Sequence, residues 1–204
     1  MQPLIVNKHR GIRNICAGRP VAVDPVIGIR KAERYPADHP PVVAELEMAP
    51  DQAGLTRQRR LRNGAEAKRL REYLLKGGFL MVDDFHGATD WEHFMNGMLM
   101  VFPDRPIEDL TDKDEIFHVL YDLTDRFQVP GEQYVWTGRT YEKDGYVPEW
   151  RAIKDDRGRV MVAICHNMHL GDAWEWADDP RYPEKFASLA FRLGINYAMY
   201  GMTH

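Results

Sequence analysis

Two unbroken apolar runs, Phe79-Leu80-Met81-Val82 and Val160-Met161-Val162-Ala163-Ile164, organise the hydrophobic pattern of this chain. Short continuous runs bounded by turn residues predict strands buried on both faces, as in parallel sheets. Helical spacing precedes the first run: Leu70, Tyr73 and Leu74 predict a helix over 65–76, and Gly77-Gly78 supplies the positive φ of a C-terminal cap. After it, Thr89 and Glu92 are spaced as a capping box. They open a second predicted helix with the stripe Trp91, Phe94, Met95, Met98 and Leu99, closed near Phe102-Pro103. Helix, buried strand, polar loop and helix make an α/β unit.

The middle of the chain is less periodic. A short helix is expected at 112–121 around Ile116, Phe117 and Leu120, and Pro130-Gly131 and Asp144-Gly145 signal turns. Residues 150–153 read as a strand joined to the second apolar run by the turn Asp155-Asp156-Arg157-Gly158. A long loop rich in Trp and Asp leads to a last helix from about Pro183, with the stripe Phe186, Leu189, Ala190, Leu193 and Tyr197. Asp178 or Asp179 is placed to cap that helix.

Composition divides the 204 residues in two. Residues 1–63 hold 11 Lys and Arg against 6 Asp and Glu, and only Tyr35 of the 22 aromatic residues. Seven of the 13 prolines also lie there, so the segment has little apolar surface to offset the cost of ordering it. The expectation is a basic N-terminal segment, disordered or atypical and open to being a non-native start, followed by an α/β domain at 64–204. The net charge of −4 gives no reason to expect nucleic acid, and no apolar run is long enough to span a bilayer. No signal peptide is visible at Met1, which points to the cytoplasm. If sheet elements are missing from the N-terminal part, an exposed sheet surface would promote association.

The polar ends of the two apolar runs carry the candidate chemistry. In open α/β sheets ligands bind beyond the carboxyl ends of the strands. One run ends in Asp83, Asp84 and His86, the other in His166 and Asn167, followed by His169 and Asp172. Parallel neighbours would turn both ends into one crevice. Side chains alternate along a strand, so Asp83 and Asp84 point apart: one braces a loop or caps a helix while the other meets the ligand. Asp83, Asp84, His86 and His166 are the candidate acid–base residues. Asn167, Asp172, Trp174 and Glu175 are the candidate ligand-binding residues, with the Trp-rich stretch 171–180 readable as a sugar platform or as a lid on the core. Asp84, His86, His166, His169 and Asp172 are of types that suit zinc, manganese or iron, but their spacing matches no known metal signature, so no metal and no cofactor is assigned. The 12-residue rhythm of a calcium loop is missing.

Nucleophiles are poorly supported. The stretch Asn14-Ile15-Cys16-Ala17-Gly18 resembles a Gly-x-Cys-x-Gly elbow only superficially, and Cys165 follows a buried strand, where thiols are mostly inert. No serine elbow, P-loop or dinucleotide glycine motif occurs.

Several strings are those of one bacterial family. Leu70 through Lys76-Gly77-Gly78-Phe79-Leu80-Met81-Val82-Asp83-Asp84-Phe85-His86-Gly87, Val101-Phe102-Pro103-Asp104, Leu170-Gly171-Asp172-Ala173-Trp174-Glu175-Trp176-Ala177-Asp178 and Leu193-Gly194-Ile195-Asn196-Tyr197 resemble domain of unknown function 4159. The resemblance covers about 64–204. It implies a three-layer α/β fold, mostly parallel and flanked by helices, similar to the class I glutamine amidotransferase-like (flavodoxin-like) group. It carries no reaction. Its members often stand behind a signal or membrane segment, so the resemblance implies an envelope association where the start of this chain implies the cytoplasm, and the compartment stays open. His169 stands where relatives are expected to carry an acid. Two readings follow: a non-catalytic domain binding a small molecule, for instance a carbohydrate-like one, or a hydrolase-like enzyme using Asp and His at the strand ends, with or without a metal.

Overall fold

The computed structural model describes residues 3–6 and 57–204, with side chains from 64 onward. The candidate Cys16 elbow and the N-terminal segment other than 3–6 and 57–63 lie outside the described residues, and α1 starts within that segment, earlier than the helix expected from 65. The chain runs β1 (Pro3–Val6), α1 (Arg57–Leu75), β2 (Phe79–Val82), α2 (Gly87–Val101), β3 (Glu108–Asp109), a 3₁₀ turn (Glu115–Phe117) and α3 (Tyr134–Thr137). It then continues through β4 (Glu149–Lys154), β5 (Val160–His166), α4 (Leu170–Glu175) and α5 (Glu184–Thr203).

The fold is α/β, built on a five-stranded sheet of order β1-β2-β5-β4-β3. The two apolar runs, β2 and β5, are parallel neighbours, with Leu80 opposite Val162 and Val82 opposite Ile164. The expectation of a mostly parallel sheet needs correction. β1–β2 and β2–β5 are parallel, but β5–β4 and β4–β3 are antiparallel. For β5–β4 the reason is the 155–158 turn. A connection that short can only reverse the chain, since a parallel return needs a crossover of a dozen or more residues.

Alternation along the central strands divides the core between the two sheet faces. Phe79, Met81, Ala163 and Cys165 pack with Leu170, Phe186, Leu189, Leu193 and Tyr197 from α4 and α5. Leu80, Val82 and Ile164 pack with Leu70 and Leu74 of α1 and Phe94, Met98 and Val101 of α2. The α5 stripe read from the sequence is buried throughout. The α2 stripe is narrower than expected: Leu99 is exposed and Val101 takes its place in the core.

Several local expectations change for local reasons. The capping box at Thr89 is not used, because α2 already begins at Gly87, where distant groups satisfy its free N–H groups. The expected helix at 112–121 shrinks to one 3₁₀ turn, since the next segment is held from outside. Asn196, fully buried on α5, accepts the N–H groups of Leu120 and Tyr121 at 3.2 and 2.9 Å and donates to the Tyr121 carbonyl at 2.8 Å. Pro183, not Asp178 or Asp179, is the N-cap of α5. Part of the expected 165–182 loop coils into α4. At the opposite end of the sheet Arg159 donates to the carbonyls of Leu74 and Gly78 at 2.7 and 2.9 Å, closing the C-terminus of α1.

Asn196 offers a test of this packing. Asn196→Ala removes the partner of two N–H groups and one carbonyl at the edge of the core, and should cost about 1–3 kcal/mol in urea denaturation. Wild-type stability in that variant would contradict the role given to this side chain.

Candidate functional site

The parallel ends of β2 and β5 lock together through their backbones. Asp84 and Asn167 both adopt left-handed φ angles, 65° and 64°. Asp and Asn are the non-glycine residues that tolerate this region best. The paired turns let the Asp84 N–H donate to the Met168 carbonyl at 2.9 Å and the Asn167 N–H to the Phe85 carbonyl at 3.0 Å. His86 and His169, two residues beyond each turn, are thereby brought face to face. Their rings stack with centroids 4.1 Å apart and 26° between planes.

Asp84, His86 and His169 form the floor of the site, each at most 2% exposed. His169 Nδ1 lies 2.8 Å from Asp84 Oδ1 and 3.9 Å from Asp172 Oδ2, and its Nε2 lies 3.2 Å from Glu142 Oε1. Burial disfavours charge on this ring, but hydrogen bonds to Asp84 and Glu142 outweigh burial and raise its pKa to about 10. His86 behaves oppositely. Burial, then the neighbouring His169, drive its pKa down, and neither ring nitrogen has a hydrogen-bond partner. The site thus pairs one imidazolium held between carboxylates with one neutral imidazole held by stacking alone.

Asp83 points away from this floor, as strand alternation requires. It accepts the Gly171 N–H at 2.9 Å, so it serves the first turn of α4. Burial, reinforced by Asp84, raises its pKa to about 8. His166 also obeys the alternation, because β5 runs on through it. It faces α2, stacked with Phe85 and Trp91 at 4.9 and 5.0 Å. Its Nδ1 meets Glu149 Oε2 at 2.6 Å, its cross-strand partner on β4, and its Nε2 the Gly87 carbonyl at 3.2 Å. His166 therefore stands in its own ion-paired setting beside Arg151, outside the Asp84–His86–His169 group.

The remaining candidates divide between architecture and mouth. Asn167 accepts the Gly87 N–H at 2.9 Å and donates to the Val147 carbonyl at 2.7 Å, which commits both ends of its amide. Asp144 accepts the next N–H of α2, from Ala88, and a Cβ on Gly87 would strike the Asp144 carboxylate, so Gly87 (φ 74°) must be glycine. Asp172 accepts the Glu132 N–H at 3.3 Å and borders His169. Trp174 presses on Gly194 of α5 and packs against the core, while Glu175 is exposed. Cys165 is buried, with burial pushing its thiol well above the usual range. Sequence reasoning missed Glu142, Glu149 and Gln128. Gln128 donates to the carbonyls of Gly145 and Asn167 at 2.8 and 3.0 Å and so ties the 130–147 segment over the site. The Pro130-Gly131 and Asp144-Gly145 turns were the only signals in that segment.

The two raised pKa values set a pH dependence. Stability contributed by a group with a raised folded-state value is complete below its unfolded value and is lost as pH rises through the folded one. For Asp83 that window runs from 3.8 to about 8, and for His169 from 6.5 to about 10. The lowered His86 value acts only below 6.5, outside their shared range. Chelator-treated protein should therefore lose more than about 4 °C of melting temperature between pH 7 and pH 9, at 2–4 °C per kcal/mol. Asp83→Asn should make that decline shallower. A melting temperature that holds or rises over this range would contradict the charge assignments.

No curated protein and no solved structure matches the chain. Among the described residues no helix is long and apolar enough to cross a membrane. The family model described as Domain of unknown function (DUF4159) matches residues 55–202, which take in every residue of the strand-end cluster, and the chain belongs to that family.

Proposed function

We propose that this is a ligand-binding α/β domain that holds a small polar molecule beyond the ends of β2 and β5, beneath the 130–147 segment. One observation carries the reading. Asp84, His86 and His169 are gathered and buried at the position where open sheets bind ligands, with Glu142 and Asp172, each partly exposed, beside them. Burying so many ionisable groups costs stability, which favours a role in recognition over one in folding. The same 130–147 segment carries Trp136 and Tyr146, both largely exposed, with Tyr141 tilted against Tyr146, ring centroids 4.7 Å apart. Aromatic side chains on the segment that brings Glu142 to His169 suit a carbohydrate-like ligand, whose ring stacks while its hydroxyls donate to the acids. The finer fold kinship that suits this reading is a flavodoxin-like, amidotransferase-related scaffold without its nucleophile. Helices on both sheet faces and the parallel β1-β2-β5 run support it.

The hydrolase-like reading draws support from the Asp84–His169 pair at 2.8 Å. An imidazolium with a carboxylate at each nitrogen is a poor base near neutral pH, however, and this keeps binding ahead of acid–base chemistry.

The reading is tested by adding glucose, galactose and N-acetylglucosamine in turn to ¹⁵N-labelled, chelator-treated protein. At least one should shift the amides of 84–87, 131–147 and 167–172, and Trp136→Ala should weaken that binding roughly 3- to 10-fold, the worth of one stacking contact. No response to any of the sugars, or shifts confined to other regions, would overturn the carbohydrate-binding reading.

A further inference from the structure

We propose that Asp84, His86 and His169 are the ligands of a divalent transition-metal centre of the zinc class. The inference deepens the ligand-binding reading of the same strand ends, on which it rests, by placing a cation on the floor of the site.

The argument begins with His86. Its ring is 2% exposed, and neither nitrogen has a hydrogen-bond partner. Buried polar groups in folded proteins are almost always satisfied, because an unmet donor or acceptor costs about 1–3 kcal/mol. A lone pair aimed at a cation would satisfy this ring, and neutral imidazole is the commonest protein ligand of metal ions. The other ligand types stand in reach: one ligand atom from each of Asp84, His86 and His169 lies within 4.8 Å of the others. Donors around a tetrahedral ion with bonds of about 2.1 Å are ~3.4 Å apart, so modest side-chain rotation would close the set.

Chemistry selects the ion. Two imidazoles and one carboxylate suit zinc, iron, cobalt or manganese and are poor ligands for calcium and magnesium, which take oxygen. The surroundings match an occupied site. Binding the ion through Nδ1 releases the proton that this nitrogen shares with Asp84; Glu142, 3.2 Å from His169 Nε2, is then placed to orient the ring, and Asp172, 3.9 Å from Nδ1, to offset the positive charge of the ion. The left-handed turn at Asp84 sets one ligand before any ion arrives, and the rings of His86 and His169, close to parallel in the stack, turn apart to aim one nitrogen each at the ion. Three protein ligands also leave a coordination position for water or for an oxygen of the bound molecule, the arrangement of open rather than purely structural centres.

The test is calorimetric titration of the chelator-treated full chain with zinc chloride and with calcium chloride, accompanied by the visible spectrum of the cobalt-loaded protein. The wild type should bind one zinc per chain, ignore calcium, and show a cobalt spectrum of low-symmetry nitrogen and oxygen coordination. His86→Phe keeps the ring stack and loses no hydrogen bond, so it should fold with an unchanged or higher melting temperature and bind zinc at least ~100-fold more weakly. Asp84→Asn, whose side chain accepts the same backbone conformation, should weaken zinc binding similarly and provides an independent variant. Glu142→Gln should cost about 10-fold. Absence of stoichiometric zinc binding in the wild type, or zinc binding that survives both His86→Phe and Asp84→Asn, would overturn the proposal. A protein that takes no zinc yet answers the sugar titration loses the metal centre and keeps the ligand site. Zinc uptake without any sugar response supports the centre and leaves the carbohydrate reading to fail alone.

Discussion

Everything at the strand ends depends on a reciprocal backbone lock. Asp84 and Asn167 leave β2 and β5 through matched left-handed turns and exchange hydrogen bonds with Met168 and Phe85 on the opposite chain. Without those turns both chains would continue as strands, and alternation would send their polar side chains to opposite faces of the sheet. With them, His86 and His169 fold back over the sheet end and stack. The lock costs something, since a non-glycine residue at positive φ is strained by roughly 1 kcal/mol or more. Two such residues side by side, both at the polar end of the central strands, argue for a local geometry that the rest of the structure maintains.

What surrounds the lock is a set of supports. Gly87 starts α2 at once, with its N–H on Asn167 and the next N–H on Asp144. Gln128 ties the 130–147 segment to the Asn167 carbonyl and to Gly145. Asp83 holds the N-terminal turn of α4, and Asn196 fixes the connection that leads into the covering segment. Each of these polar side chains spends its hydrogen bonds on backbone. His86 stands apart as a buried polar ring with none, and Asp84, Glu142 and Asp172 concentrate negative charge on His169.

Much of the fold was legible in the sequence because it follows from short-range patterns. The two apolar runs gave the central strands, the 3.6-residue stripe gave α5, and the 155–158 turn gave the β4–β5 hairpin, whose antiparallel sense corrects the expected parallel sheet. The strand ends were the right place to look, and Asp84, His86 and His169 were all in view. What could not be read was which histidine joins them. His166 and His169 both follow the second run, and only the extent of β5 through residue 166 decides that His166 turns toward α2 and Glu149. Glu142 was hidden for a different reason: it reaches His169 from a segment with no periodicity, held by long-range bonds that leave no mark in local sequence. Of the two readings of the Trp-rich stretch, the contacts match the lid on the core: Trp174 packs on Gly194, twenty positions away, and Trp174 and Trp176 lie against the core cluster.

The account stands or falls on whether Asp84, His86 and His169 take a shared cation at the strand ends. An anomalous difference map from a zinc-soaked crystal, measured at the zinc edge, addresses that directly. The account predicts one dominant peak within about 2.3 Å of atoms of Asp84, His86 and His169. A map with no peak there, or with its dominant peak on other side chains, would contradict it.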